Sequence, residues 1–221
     1  MANQVKLKKS NVLLILLAVS YHFGVAQSSS DSALNSKEFN NLNEALQDTA
    51  HVFRLNLSNQ NINIPNSIWS KFPNLQYLSL KNDHLDHIPE GIGSLKNLKI
   101  LDLSGNDFKV LPDNFTQLIH LQELYLNDDK NLKLEQSIKI LSQLPQLHSL
   151  HIENDGLKTL PKNISKLSHL DSLYLNNNKF VKIPSEALNL KNLKFLDLHD
   201  NKISVPNPNK IEHDFSVKIR F

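Results

Sequence analysis

The sequence predicts an α/β solenoid: seven similar coils stacked in a row, with a parallel β-sheet along the concave face. Three observations carry this. Apolar residues recur as L-x-x-L-x-L from Val52, Leu75, Leu98, Leu121, Leu147, Leu170 and Leu193, at spacings of 23, 23, 23, 26, 23 and 23 residues. A fixed period in the twenties means stacked units rather than one globular core. Each unit also divides in two. A first half such as Leu98-Lys99-Ile100-Leu101-Asp102-Leu103 ends in strand-like alternation. A second half such as Leu111-Pro112-Asp113-Asn114-Phe115 sets a proline before spaced apolar residues, which suits a turn and a short helix or 3₁₀ segment. Finally, no unit can stand alone, because ordering its backbone costs more than its own apolar side chains recover. Neighbours supply the missing burial and the strand-to-strand hydrogen bonds.

From the start of the chain, Lys6, Lys8 and Lys9 precede an apolar run from Val12 to Val19, and Gly24-Val25-Ala26 offers small residues at a cleavage point. Residues 1–26 therefore read as an export signal cut before Gln27. The apolar run is far shorter than the ~20 residues a membrane-spanning helix needs. An uncleaved anchor is the alternative. Residues 27–36 are polar and serine-rich, a flexible linker. Phe39, Leu42 and Leu46 then recur at helical spacing with Ser36 as N-cap, so residues 37–51 predict a helical cap over the apolar end of the stack.

The seven repeats occupy residues 52–206. Ile64-Pro65, Ile88-Pro89, Leu111-Pro112, Leu160-Pro161 and Ile183-Pro184 mark the crossing from the concave to the convex side, since each proline disfavours helix at its predecessor. The fourth repeat has 26 residues and no such proline, reading Leu134-Glu135-Gln136-Ser137-Ile138-Lys139-Ile140-Leu141. Three extra residues predict roughly one added helical turn on the convex side. Val205-Pro206-Asn207-Pro208 forms the exit. In residues 207–221 the alternating run Phe215-Ser216-Val217-Lys218-Ile219-Arg220-Phe221 predicts a C-terminal cap strand over the sheet edge.

Composition excludes several functions. The whole chain has a formal charge of +2, but residues 1–26 hold three lysines and no carboxylate, which leaves 21 basic against 22 acidic residues beyond them. Without basic clusters there is no electrostatic footprint for nucleic acid. Cysteine is absent, which removes disulfides, thiolate metal sites and cysteine nucleophiles. There is no serine nucleophile elbow, no H-E-x-x-H and no phosphate-cradling loop, and only five glycines in all. The sequence thus points away from an enzyme and calls for no cofactor.

The repeated motif resembles the leucine-rich repeat family, and specifically the 23-residue class of the Ras-group-related leucine-rich repeat proteins. The opening from Leu42-Asn43-Glu44-Ala45-Leu46-Gln47 to Val52-Phe53-Arg54-Leu55-Asn56-Leu57-Ser58-Asn59-Gln60 is similar to exported bacterial members. The resemblance implies a right-handed, horseshoe-curved solenoid whose usual activity is binding another macromolecule. The family pattern has asparagine at the ninth position, where its amide both donates to and accepts from the turn backbone. Here that column reads Gln60, Asp83, Asn106, Asp129, Asp155, Asn178, Asn201. Ionised aspartate cannot donate, so the ladder is expected to be weaker at three repeats.

Third-, fifth-, seventh- and eighth-position side chains are expected to face the concave side. The third column reads Arg54, Tyr77, Ile100, Glu123, Ser149, Ser172, Phe195; the fifth reads Asn56, Ser79, Asp102, Tyr125, His151, Tyr174, Asp197. Tyr125, His151 and Tyr174 fall on consecutive strands with Asp102 and Asp197 flanking them, and tyrosine is enriched at binding hot spots. The expected partner-binding residues are Tyr77, Asp102, Glu123, Tyr125, His151, Tyr174, Phe195 and Asp197. Seven strands span roughly 29 Å, wide enough for a protein interface. Asp128, Asp129, Glu153 and Asp155 close two neighbouring strands, a carboxylate cluster that could hold Ca²⁺ or form a solvated acidic rim. His84, His87, His148 and His151 read as solvated. Asn56-Leu57-Ser58, Asn114-Phe115-Thr116 and Asn163-Ile164-Ser165 match the glycosylation acceptor, as an asparagine-rich chain does by chance. The expectation is an exported binding module, periplasmic, cell-surface or secreted, that engages a protein or a glycan and spans no membrane after cleavage. A structural or adhesive envelope component and an intracellular scaffold are the alternatives.

Overall fold

A computed structural model describes residues 36–61, 64–204 and 217–221. The expected export signal, most of the linker and the Val205–Pro208 exit lie outside the described residues.

Among the described residues, nine strands form one parallel sheet in strict sequence order. They are β1 (Glu38–Phe39), β2 (Arg54–Asn56), β3 (Tyr77–Ser79), β4 (Ile100–Asp102), β5 (Glu123–Tyr125), β6 (Ser149–His151), β7 (Ser172–Tyr174), β8 (Phe195–Asp197) and β9 (Lys218–Arg220). The register never slips. Leu55, Leu78, Leu101, Leu124, Leu150, Leu173 and Leu196 pair in one row, and each is fully buried. Identical units with identical spacing leave the strands no reason to shift, because a one-residue slip would turn every leucine outward.

The first half of the chain's cap differs from the expectation. Glu38–Phe39 is a strand paired with β2, and the helix is only α1 (Leu42–Ala45), followed by a 3₁₀ turn at Thr49–His51. Asn41, not Ser36, is the N-cap, its side chain accepting from the amides of Asn43 at 2.9 Å and Glu44 at 3.2 Å. The open edge of β2 presents unpaired backbone groups, and satisfying them outweighs the helical spacing of Phe39. At the other end Lys218–Arg220 pairs with β8 as β9.

On the convex side, 3₁₀ turns follow Pro65, Pro89, Pro112 and Pro161, and α3 (Ser185–Leu188) follows Pro184. Each proline carbonyl accepts the amide three residues on, all at 3.0 Å, which starts the turn. The accepting turns bury Trp69, Ile92, Phe115, Ile164 and Ala187, one per repeat at the same position, against the strand leucines. The long fourth repeat, without a proline, forms the eight-residue α2 (Leu134–Leu141), which buries Ile138 at that position. Adjacent turns lie close enough that a Cβ on Gly91 would sit 2.0 Å from the Asn66 carbonyl oxygen.

The eighth position of every repeat (Asn59, Asn82, Gly105, Asp128, Asn154, Asn177, Asp200) has φ between 54° and 70°. These are the residue types that accept a left-handed backbone at least cost. Next to it runs the ninth-position ladder. Amides of Gln60, Asn106 and Asp129 donate to Asp83, Asp129 and Asp155 at 2.7–2.8 Å. Asn106, Asn178 and Asn201 also donate, each Nδ2 reaching two carbonyls just past the strand ends within 3.0 Å. Asp83, Asp129 and Asp155 make only the accepting half, and the Oδ2 of each is buried without a partner. The missing donor bonds thus fall at the three aspartate repeats.

Candidate functional site

Parallel pairing without slippage places equivalent side chains of successive strands directly beside one another. Tyr125, His151 and Tyr174 pair across β5, β6 and β7. Their rings stack nearly parallel, with centroids 3.9 Å and 4.0 Å apart and planes inclined by 18° and 7°. Phe195 extends the row from the third column, tilted 57° against Tyr174 at 5.4 Å.

His151 is the hub of this row. Its Nε2 lies 3.0 Å from Glu123 Oε1 and its Nδ1 lies 3.7 Å from Glu153 Oε1. Tyr125 donates its hydroxyl to the same Glu123 oxygen at 2.6 Å. The expectation that His151 is solvated is wrong: only 7% of it is exposed. The rings of its neighbours cover both faces, which a reading of one strand at a time does not reveal. Burial works to lower its pKa, but the hydrogen bond to Glu123, the nearby Glu153 carboxylate and the charges of both overcome burial and raise it. Two carboxylates facing both nitrogens favour the imidazolium. A cation between two tyrosine faces is also favourable, whereas neutral rings avoid face-to-face stacking.

Burial raises the Tyr125 phenol, and the Glu123 charge and hydrogen bond add to it. Tyr174 is pushed up to about 12 by burial and then by the charges of Glu123, Asp197, Glu153 and Asp171. Both phenols thus stay protonated donors at neutral pH, in a negative local field. At the N-terminal end, Tyr77 is pushed up to about 12, by burial first and then by Asp102 and Glu38. The Arg54 guanidinium lies over the Tyr77 ring at 4.1 Å and pairs with Glu38 at 2.8 Å.

The expected residues thus fall into distinct groups. Glu123, Tyr125, His151, Tyr174 and Phe195 come together. Tyr77 stands apart with Arg54. Asp197 is 2% exposed and engaged by His199 at 2.6 Å and Arg220 at 3.4 Å, so it braces the sheet end. Asp102 remains half-exposed, its Oδ1 accepting the Ser104 amide at 3.0 Å. Sequence reasoning missed Glu153 as the second partner of His151, although two residues along a strand means the same face. It also missed the Glu38–Arg54 pair, which depends on the unforeseen β1.

The four carboxylates considered for Ca²⁺ do not converge. Asp129 and Asp155 turn inward as ladder acceptors, while Asp128 and Glu153 face the rim beside Asn127 and Asn154. Among the described residues no group of three or more histidine or acidic side chains could hold a metal ion. Nor does the neighbourhood of His151 suit nucleophilic catalysis. Ser149 Oγ is 3.3 Å from Nε2, but Glu123 is closer, and an imidazolium paired on both nitrogens cannot accept a serine proton.

Two family models match the chain, a leucine-rich repeat region over residues 44–148 and a leucine-rich repeat over residues 145–203. A probable disease resistance protein of Arabidopsis thaliana is 34% identical over 86 residues, 38% of this chain and 9% of that protein. TMV resistance protein N of Nicotiana glutinosa is 48% identical over 60 residues, 26% of this chain and 5% of that protein. The chain therefore spans less than a tenth of the length of these relatives. Among solved structures, the TLR13–ssRNA13 complex aligns with a TM-score of 0.59 and 27% identity, over 76% of this chain and 24% of that one. The Drosophila Toll–Spätzle complex aligns with a TM-score of 0.58 and 22% identity, over 76% and 23%, a likeness of fold.

Proposed function

The chain belongs to the leucine-rich repeat proteins, and from that premise we propose that it is an exported, non-enzymatic binding protein that engages a protein partner through the concave face of its sheet. The observation that carries this reading is the stack of Tyr125, His151 and Tyr174, fixed by Glu123 and Glu153. Side chains already held in place lose little rotamer entropy on binding, which is where interfaces concentrate affinity. Tyr125, Tyr174 and Phe195 remain part-exposed for contact. Glu123 and His151 act behind them, and Tyr77 and Asp102 extend the surface toward the N-terminal strands. A protein is favoured over nucleic acid, because Asp102, Glu123 and Glu153 would repel a phosphate backbone. Export rests on the signal-like residues 1–26.

The test is capture of partners by the tagged chain. The double variant Tyr125→Ala, Tyr174→Ala should lose the specific partner. A convex-face control, Lys139→Glu with Lys162→Glu, should keep it. Undiminished capture by the tyrosine variant, with loss in the convex one, would move binding to the outer face and overturn the proposal.

A further inference from the structure

The concave face shows twice how it accommodates a cation. Arg54 lies over the Tyr77 ring and pairs with Glu38, and His151 lies between Tyr125 and Tyr174 and pairs with Glu123 and Glu153. Each time, an aromatic face and a carboxylate hold one of the chain's own positive groups. Between those two places lies Asp102 on β4, beside Ser79 on β3 and Tyr125 on β5 in the fifth column, with Tyr77 one strand away in the third. The ingredients there are the same, aromatic rings and a carboxylate. Yet Asp102 takes part in no ion pair among the described residues. It is half-exposed, and Ser79 is too short to cover it.

We propose that the partner segment seated on this face presents a basic side chain, an arginine or lysine, to Asp102 between Tyr77 and Tyr125. The proposal rests on the reading of the concave face as the binding surface, and it adds the chemistry of what binds. The Asp102 charge reaches both rings, since it helps raise the pKa of Tyr77 and of Tyr125. A carboxylate without an ion-pair partner among the described residues, beside Tyr125 and near Tyr77, attracts a guanidinium by ion pairing and by cation–π contact with an exposed ring together. Arginine suits the place best, because its planar group can stack and pair at once. On the neighbouring β5 Glu123 adds to the negative field, while Arg54 over the Tyr77 ring and Lys99 just before β4 are the nearby positive groups.

The experiment titrates the isotope-labelled chain with a capped Gly-Arg-Gly peptide and with the same peptide carrying citrulline, which has the same shape without charge. Shifts in the NMR spectrum report both affinity and place. The arginine peptide should bind about fivefold more tightly than the citrulline one, with shifts centred on β3 to β5. Asp102→Asn should erase that preference while leaving the thermal midpoint unchanged, because asparagine keeps the turn bond that Asn56 makes to Ser58 at 3.1 Å. Asp113→Asn, on the exposed convex side, should leave the preference intact. Equal binding of the two peptides on these strands would overturn the cationic partner and leave the concave face standing. A preference that survives Asp102→Asn would overturn the assigned residue. Shifts confined to the convex turns, or none at millimolar peptide, would remove the proposal, the former together with the reading beneath it.

Discussion

Replacing Asp129 and Asp155 together by asparagine should make the protein more stable at pH 8 and flatten its dependence on pH. Both carboxylates occupy places where Asn106, Asn178 and Asn201 donate to carbonyls just past the strand ends, and both have a buried Oδ2 with no partner. A proton on that oxygen would restore the donor. Burial pushes Asp129 up to about 8, against the amide bond from Asn106 and with help from the charge of Asp155. Burial likewise pushes Asp155 up to about 7. An unfolded aspartate titrates near 3.9. Between roughly pH 4 and pH 7 the folded chain therefore holds protons that the unfolded chain has lost, so stability falls as pH rises. The stabilisation is complete below the unfolded value and lost as pH rises through the folded ones. Each group can contribute up to about 1.4 kcal/mol per pH unit. Solvent relaxation reduces that, so the two together should cost on the order of 2–4 kcal/mol between about pH 4.5 and 6.5. At roughly 2–4 °C per kcal/mol for a chain of this size, that is a midpoint lower by about 5–15 °C. Thermal unfolding by circular dichroism across this range is the assay. The Asp129→Asn, Asp155→Asn variant should be nearly flat over the same interval and stand above the parent at pH 8. A variant less stable than the parent at pH 8, or a parent whose stability climbs with pH, would refute the reasoning.

Other consequences are simpler to read. By NMR titration His151 should show a midpoint above the ordinary histidine value of about 6.5, and the part of the stability it contributes should fade as pH rises through that midpoint; a midpoint below the ordinary value would contradict the double carboxylate pairing. Leu101→Ala, in the middle of the leucine row, should cost about 2–5 kcal/mol in urea unfolding, and a cost under about 1 kcal/mol would mean the row is not packed. Gly91→Ala should destabilise by about 1–3 kcal/mol, since its Cβ would meet the Asn66 carbonyl at 2.0 Å; a neutral result would mean the convex turns are looser than described. N-terminal sequencing of the protein from its native host should begin at Gln27, and a start at Met1 or Ala2 would remove the export signal.

Much of this fold is legible in one line of sequence because each unit repeats its own instructions. The Leu-x-Leu alternation sets the strands, Pro65, Pro89, Pro112, Pro161 and Pro184 set the crossings, and three extra residues without proline become α2. The eighth position, filled by asparagine, aspartate or glycine, is expected to face the concave side and instead takes a left-handed turn. What escapes is set by neighbours rather than by local pattern. Phe39 carries a helical spacing with Leu42 and Leu46, yet with Glu38 it becomes a strand because β2 would otherwise keep an open edge. The columns place Tyr125, His151 and Tyr174 side by side, but not the lean that brings their rings to about 4 Å. His151 looks solvated on its own strand and is covered by rings 26 and 23 residues away in sequence. Asp129 and Asp155 are legible as ladder positions, but how deeply the ladder buries their free oxygens is not.

Hydrogen–deuterium exchange of the partner-bound protein tests the concave binding face most directly. Bound partner should slow exchange at the amides of β3 to β7 and the turns that follow them, leaving the convex 3₁₀ turns and α2 unchanged. Protection confined to the convex elements, with the strands exchanging as in the free chain, would contradict it.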